Sequence, residues 1–295
     1  MFNHKHIIVL YDDAEVCAHA VDKAAQLAKW SGSRLTLFAC DYSSSLTATH
    51  PHTENARDAF LTRLKESLEP LANIAKEYEV DVLTEVVWDK HSGDALMTYL
   101  TGNPADLVVK ATHHQNVIQR TFFSQTDWEL IRHCPVPLLL AKNSKWQTPM
   151  NITAAVDPVR TNDKPDFLDD NIIKCGMDMR SLTQANLHLL HVYDPTPLMI
   201  YLDQPAINST EVGEEIRQQH AQALETLAIS KDIAKEFAHL EMGSPVQVIP
   251  DFLYENNTDM VIMGAVSRTG LERWLLGHTA EKVLDRITVD ILIAK

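Results

Sequence analysis

The sequence predicts an α/β protein with two tandem domains, each built on a doubly wound parallel sheet of the Rossmann-like type. Two observations support this prediction. Short apolar runs typical of buried strands alternate with longer helical segments, and no hairpin turn joins consecutive runs. The same succession of segments then occurs a second time in the other half of the chain.

The duplication is clearest in the last quarter of each half. When the chain is shifted by 153 residues, Asp106–Lys142 falls on Asp259–Lys295 without a gap. The identities are few but evenly spaced, and the apolar pattern agrees better than the identities do. Upstream, "KHIIVLYDDAE" corresponds to "MNITAAVDPVR", and "SRLTLFACDYS" corresponds to "ANLHLLHVYDP". We therefore predict domains at residues 1–142 and 150–295, joined by the polar linker "NSKWQTP" at 143–149.

The order of elements is the same in both copies. A first strand ("HIIVLY", "ITAAV") leads into a helix, predicted over about 14–30 and 166–181. A second strand ("RLTLFAC", "LHLLHVY") precedes a loop and a long amphipathic helix. In the first copy this single helix carries apolar residues at three- and four-residue steps, namely Phe60, Leu64, Leu68, Leu71, Ile74 and Tyr78.

The rest of each copy follows the same alternation. A third strand ("DVLTEVVW", "EFAHLEM") is followed by a helix and by a fourth strand ("DLVVKA", "DMVIMGA"). A loop, a further helix and a final strand ("PLLLAK", "DILIAK") complete the copy. Strands that alternate with helices in this way predict parallel sheets covered on both faces.

Charge and motifs exclude several classes of function. The formal net charge of −14 argues against nucleic acid as a partner, because polyanion binding depends on clustered Lys and Arg. No apolar run approaches the ~18 residues needed to cross a bilayer, so we expect no membrane association. The N-terminal "MFNHKHIIVLYDD" has no apolar signal core, so we expect a cytoplasmic protein. No P-loop, GxSxG elbow or HExxH helix is present, so we expect no enzymatic activity and no catalytic residues.

The segments "WDKHSGDALMTYLTGNPADLVVKATHHQ" and "VSRTGLERWLLGHTAEKVLDRITVDILIAK" give the chain a family resemblance. It resembles the universal stress protein family, in its tandem-domain form, over essentially the whole chain. The resemblance implies an adenine nucleotide alpha hydrolase-like fold with five strands in each sheet. It also implies pairing through the last strands, so that the two halves form an intrachain pseudo-dimer. A cytoplasmic stress-response role, homodimers or other homo-oligomers, and no defined reaction are implied as well.

The family's nucleotide signature is glycine, two residues, glycine, nine residues, glycine, and then Ser or Thr. In the second half, Gly264 and Gly277 match the first and third glycines, Ser267 replaces the second, and His278 stands in the Ser/Thr position. Glycine allows the backbone to approach a phosphate, and the N-terminus of the following helix favours an anion. A phosphate-binding loop and a purely structural strand-to-helix turn are both open interpretations.

The resemblance implies further nucleotide-binding residues around this loop. Asp157 after the first strand and Val192 after the second would line the adenine and ribose side. The predicted set also contains Met263, Ala280, Thr279, which supplies a hydroxyl one place after His278, and Arg268, which adds positive charge near the loop. The implied ligand is ATP or AMP, in the C-terminal domain only, with no metal besides a Mg²⁺ ion accompanying the nucleotide. From the residues alone, the alternative for Asp157 is a turn or helix-cap acid, and for Val192 a core residue is the favoured interpretation.

The first half has lost all three glycines of the signature. "TDWE" at 126–129 has the spacing of a capping box, with Thr126 as N-cap and Glu129 at the third helical position. Asp127 and Glu129 would also place negative charge where a phosphate would have to sit. We therefore predict that this copy does not bind ATP in the family manner. The residues that replace the glycines are Ala111, His114 and Ser124.

Two other stretches have open interpretations. His113 and His114, with His50 and His52, raise the possibility of a metal site, although adjacent histidines do not have helical ligand spacing, and solvated histidines are favoured. The apolar stretch "DPTPLMIYLDQPAI" at 194–207 is either a packing segment or a lid over a pocket. The alternative function is therefore an ATP-independent scaffold or binding module that holds an apolar or nucleotide-sugar-like ligand near 194–207.

Overall fold

The computed structural model of the chain describes residues 3–12, 14–46, 51–112, 123–159, 167–195, 209–264 and 278–295. These residues divide into two compact units. Unit 1 contains the described residues up to Ser144, and unit 2 contains those from Lys145 onward. The division falls inside the stretch predicted as a linker.

Unit 1 contains a parallel sheet whose strands follow the order β3-β2-β1-β4-β5. The chain moves outward from β1 to β3 and then returns to the other side of β1, which is the doubly wound topology. Its strands are β1 (His6–Tyr11), β2 (Arg34–Asp41), β3 (Val82–Trp88), β4 (Leu107–Ala111) and β5 (Leu138–Ala141).

Helices cover this sheet as two layers. The first layer contains α1 and α3, which pack against each other, and the second contains α4 and α5, which also pack together. Strands β4 and β5 are completely buried and consist almost entirely of Leu, Val and Ala, as expected for parallel strands covered on both faces. The helices are α1 (Ala14–Ser31), α2 (Pro51–Ser67), α3 (Glu69–Glu77), α4 (Ser92–Gly102) and α5 (Gln125–His133).

The prediction of a single amphipathic helix through Phe60 and Tyr78 is wrong, because the structure has two helices there. Helix α2 ends at Ser67, and α3 begins at Glu69 with Pro70 in its first turn. A proline in a continuous helix would lack the N–H for the ladder and would clash with the preceding turn. The apolar positions still face inward, since Leu68 and Leu71 are buried. The hydrophobic period therefore continues across a break in the backbone.

Unit 2 repeats the topology of unit 1. Its parallel strands follow the order β8-β7-β6-β9-β10, which corresponds strand for strand to the order in unit 1. The strands are β6 (Asn151–Ala155), β7 (Asn186–Tyr193), β8 (Ala238–Met242), β9 (Met260–Gly264) and β10 (Asp290–Ala294). The helices are α6 (Leu168–Thr183), α7 (Ser209–Ser230), α8 (Pro245–Glu255) and α9 (His278–Leu284). Within the described ranges, no helix has the length and apolar character that a membrane span requires.

A pair of equivalent aspartates fixes the first strand of each unit. In unit 1, the Asp106 carboxylate accepts hydrogen bonds from the backbone N–H groups of His4 and His6, at 2.8 and 3.1 Å. In unit 2, Asp259 accepts from the N–H groups of Gln147 and Asn151, at 2.9 and 2.8 Å. Each carboxylate therefore joins the entry of its fourth strand to the entry of the first.

We expect Asp106→Ala and Asp259→Ala each to lower the free energy of unfolding by about 2–3 kcal/mol, because each leaves two backbone donors without their charged acceptor. Urea unfolding measures the change. Asp251→Ala, an exposed position on α8, is the matched control and should stay within about 0.5 kcal/mol of the parent. Equal effects for the buried and exposed aspartates would contradict the assigned role.

Candidate functional site

The candidate site of unit 2 lies at the carboxyl ends of β6 and β9, where the strand order reverses. In open α/β sheets this topological switch point is where ligands bind. Gly264 is the last residue of β9, and Asp157 follows β6 by two residues. The parallel register pairs Ala154 with Ile262, so the ends of the two strands lie side by side.

Asp157 is a partly exposed carboxylate at this edge, with 44% of its side chain accessible. Its backbone N–H donates to the carboxylate of Asp169 near the start of α6, at 3.2 Å. Its Oδ1 lies 3.9 Å from Nδ1 of His191, a buried residue of β7. The backbone of Asp157 is therefore bound by Asp169, while its carboxylate lies near His191 and still reaches solvent.

Gly264 has a packing role within unit 2. A Cβ atom at this position would lie 2.5 Å from Cδ1 and 2.7 Å from Cγ of Leu168, the first residue of α6. Leu168 is buried, and its side chain would have to shift if position 264 carried a Cβ atom. The absence of a side chain at Gly264 thus lets α6 approach the end of β9, whether or not a ligand is present.

The other predicted residues are distributed around the same edge. Val192, Met263 and Ala280 are half-buried, on β7, β9 and the first turn of α9 respectively. Helix α9 begins at His278, followed by Thr279, as the sequence predicts. Three predicted residues lie outside the described part of the chain, namely Ser267, Arg268 and Gly277.

The corresponding edge of unit 1 is filled by a buried ion cluster. Lys110 of β4 is completely buried, and its Nζ lies 2.5 Å from Oδ2 of Asp12 and 2.8 Å from Oδ1 of Asp127. Asp12 follows β1, and Asp127 lies in the first turn of α5. These three residues occupy the positions that Asp157, Met263 and Ala280 hold in unit 2.

The N-terminus of α5 is capped by residues other than those predicted. Ser124 is the N-cap, and its side chain accepts from the backbone N–H of Asp127 at 3.2 Å. Asp127 reciprocates by accepting from the N–H of Ser124 at 2.7 Å. The predicted capping box of Thr126 and Glu129 is therefore wrong by two residues, because Ser124 and Asp127 satisfy the same spacing two residues earlier. Glu129 instead accepts from Gln125 on the surface of α5.

Lys110 is charged in this setting. Burial opposes its charge, but Asp127 and Asp12 outweigh that effect and hold the pKa of Lys110 above its ordinary value. The prediction that Asp127 places negative charge at this helix end is confirmed, with Lys110 as the counter-ion. The sequence reasoning missed Lys110, although a lysine inside the apolar run "LVVKA" was the available signal.

Two predicted features lie beyond what the structure describes. The histidines proposed for a metal site are at 113, 114 and 50, and the side chain of His52 is likewise not described. Most of the apolar 194–207 stretch also falls in the undescribed residues 196–208. Among the described residues, no three His, Cys, Asp or Glu side chains are placed to hold a metal ion.

Known proteins are similar to this chain over nearly its full length. A homolog of universal stress protein E from Haemophilus influenzae is 25% identical over 297 residues, covering 98% of this chain and 96% of the relative. Universal stress protein E of Photorhabdus laumondii is 28% identical over 302 residues, covering 100% and 96%. A crystal structure of a functionally unknown protein from Pseudomonas aeruginosa PAO1 matches with a TM-score of 0.74 and 24% identity, covering 99% of this chain and 92% of that chain.

These features define a duplicated α/β protein with a Rossmann-like fold, in which the two switch-point sites have diverged. The sequence model of the universal stress protein family matches residues 3–142 and 172–295. The chain therefore belongs to the universal stress protein family.

We expect Lys110→Met to destabilise the protein by about 3–5 kcal/mol, because it leaves the fully buried Asp127 carboxylate without a counter-ion. The double variant Lys110→Met/Asp127→Ala installs the residues found in unit 2 and should recover most of that loss. Urea unfolding of both single variants and the double variant gives the coupling energy. If the double variant lost as much free energy of unfolding as the two single variants together, the result would contradict the ion cluster.

Proposed function

We propose that the protein is a non-enzymatic stress-response protein of the cytoplasm whose unit 2 binds an adenine nucleotide, ATP or AMP. Family membership supports the stress-response role. Unit 1, in the same proposal, binds no nucleotide and serves as the structural half. The relatives named universal stress protein E extend over nearly the full chain, which supports a role for both units together.

The observation that carries the nucleotide assignment is the contrast between the two switch-point edges. In unit 1 an internal ammonium and an internal carboxylate already fill the place where a ligand's phosphate would lie. In unit 2 the same positions hold Met263 and Ala280, which supply neither a counter-charge nor a cap. A nucleotide phosphate at the N-terminus of α9 would supply the anion that Asp127 supplies in unit 1.

The roles of individual residues follow from their places on this edge. Asp157 would accept hydrogen bonds from the ribose or adenine, since its carboxylate reaches solvent at the end of β6. Val192 and Met263 would supply apolar contacts for the base from the neighbouring strands. The proposal assigns the phosphates to the 264–280 loop, through Gly264, Ser267, Arg268, Gly277, His278, Thr279 and Ala280. A Mg²⁺ ion would accompany the nucleotide rather than bind a separate protein site.

We expect Met263→Lys/Ala280→Asp to abolish binding of AMP and ATP, because it transfers the internal ion pair of unit 1 into unit 2. Isothermal titration of the full chain measures binding, and circular dichroism confirms folding. The matched control Lys110→Met/Asp127→Ala makes the reverse exchange in unit 1 and should leave the affinity unchanged. Loss of binding in the control would place the nucleotide in unit 1 and overturn the assignment.

The non-enzymatic part of the proposal has its own measurement. Binding of ATP should not be followed by multiple turnover, because the chain has none of the recognised nucleotide-hydrolysing loops. Incubation of the full chain with ATP and Mg²⁺ over many hours, with phosphate release as the readout, tests this. Rapid multiple-turnover hydrolysis that disappears in Met263→Lys/Ala280→Asp would show that the protein is an enzyme.

A further inference from the structure

A chain of two hydrogen-bonded histidines runs behind Asp157 in unit 2. His191 of β7 is 1% exposed, and its Nε2 lies 2.7 Å from Nδ1 of His220 on α7. Its Nδ1 lies 3.2 Å from the carbonyl oxygen of Val156 and 3.9 Å from Oδ1 of Asp157. His220 is half-buried and stacks on Tyr193, with ring centroids 4.7 Å apart. The chain thus connects a half-buried ring on α7 to the carboxylate at the candidate site.

Hydrogen-bond chemistry fixes the direction of this chain. A carbonyl oxygen only accepts, so the hydrogen bond to Val156 requires a proton on Nδ1 of His191. In the neutral ring Nε2 then carries a lone pair, and Nδ1 of His220 must donate to it. Both rings are therefore Nδ1–H tautomers when neutral. The remaining lone pair of the chain is on Nε2 of His220.

We propose that His220 and His191 take up a single proton as a pair and so place a positive charge beside the Asp157 carboxylate. Proton uptake is then coupled to the binding of an anion at the unit 2 site. The coupling to an anion rests on the proposed nucleotide function, whereas the proton pair itself does not. In unit 1 the residue corresponding to His191 is Ala39, and the residue that contacts the equivalent carboxylate of Asp12 is Lys110.

The uptake needs no rearrangement of heavy atoms. A proton that binds to Nε2 of His220 makes that ring an imidazolium, which still donates from Nδ1 to His191. When the shared proton crosses the 2.7 Å bond, His191 becomes the imidazolium and His220 becomes a neutral Nε2–H tautomer whose Nδ1 accepts. A second proton would place two N–H groups face to face across the same short contact. The pair therefore has capacity for one proton.

The surrounding charges determine when the proton is taken up. Burial lowers the pKa of His191 and of His220 below the ordinary histidine value, and the Asp157 carboxylate opposes that shift for both rings. Asp169 on α6 also favours a charged His191. On β7, Tyr193 faces the pair and stacks on His220. Tyr193 also interacts electrostatically with Arg217 on α7. Further negative charge near Asp157 would raise the pKa of the pair, so an anion binds more tightly as the pH falls.

The first test needs no nucleotide. In the full chain labelled with ¹⁵N-histidine, we expect Nδ1–H tautomers for both rings at pH 8 and one common titration midpoint corresponding to a single proton. Asp157→Asn should lower that midpoint, because it removes the attracting carboxylate. The second histidine pair of unit 2, His188 and His239 with 2.9 Å between Nδ1 and Nε2, is the internal control and should keep its midpoint. Two independent one-proton steps, or a titration midpoint that Asp157→Asn does not change, would overturn the proposal.

The second test measures the coupling to an anion, with AMP as the probe. The ratio of AMP affinity at pH 5.5 to that at pH 8 should be about fivefold greater in the parent protein than in His220→Phe. This variant keeps an aromatic ring on Tyr193 but removes the half-buried ring that takes up the proton, and it leaves only the buried His191. His239→Phe is the matched control and should retain the ratio of the parent. Equal ratios in the parent and His220→Phe would overturn the coupling. If AMP at millimolar concentration does not bind at all, the proposed nucleotide function fails, and the ¹⁵N titration alone decides the histidine pair.

Discussion

The fully buried ammonium group of Lys110 determines how unit 1 is built at its switch-point edge. A charge without access to water must be compensated locally, because its solvation is lost. The compensation comes from Asp12 after β1 and from Asp127 on α5. The same Asp127 carboxylate also caps the helix that carries it. One cation therefore links two strand ends and a helix N-terminus.

Much of the fold could be predicted because its two signals, the duplication and the alternation of strands and helices, can be recognised along the sequence itself. The strands and the doubly wound topology follow from apolar runs such as "LVVKA" and from the absence of hairpin turns. The break between α2 and α3 was missed because the apolar period continues through Leu68, whereas Pro70 interrupts only the backbone ladder. The predicted cap of α5 is wrong because two overlapping Ser/Thr-to-acid spacings exist, and the sequence does not show that Asp127 pairs with Lys110.

The candidate site could be predicted only in outline. Gly264 is found at the end of β9 as expected, yet its closest steric partner, Leu168, is 96 residues away in the chain and comes from a helix that begins after an undescribed segment. Lys110 and Asp12 are 98 residues apart, and His191 and His220 are 29 apart. No sequence spacing encodes such contacts, since they arise when parallel strands bring their carboxyl ends together. The residues that distinguish the two units chemically are therefore those that the sequence alone does not connect.

The two units differ in the counter-charge that lies beside the equivalent aspartates, Asp12 and Asp157. In unit 1, Asp12 faces a lysine whose pKa is raised, so its counter-charge is permanent under ordinary conditions. In unit 2, Asp157 faces a histidine whose pKa is lowered by burial, so its counter-charge is absent until a proton arrives. A permanent ion pair stabilises one state of the fold, whereas an exchangeable proton makes the local charge depend on pH and on what is bound nearby. Replacement of Lys110 by Met263 and of Ala39 by His191 thus changes a fixed structural charge into a variable one, and it does so in the half of the chain to which we assign the nucleotide.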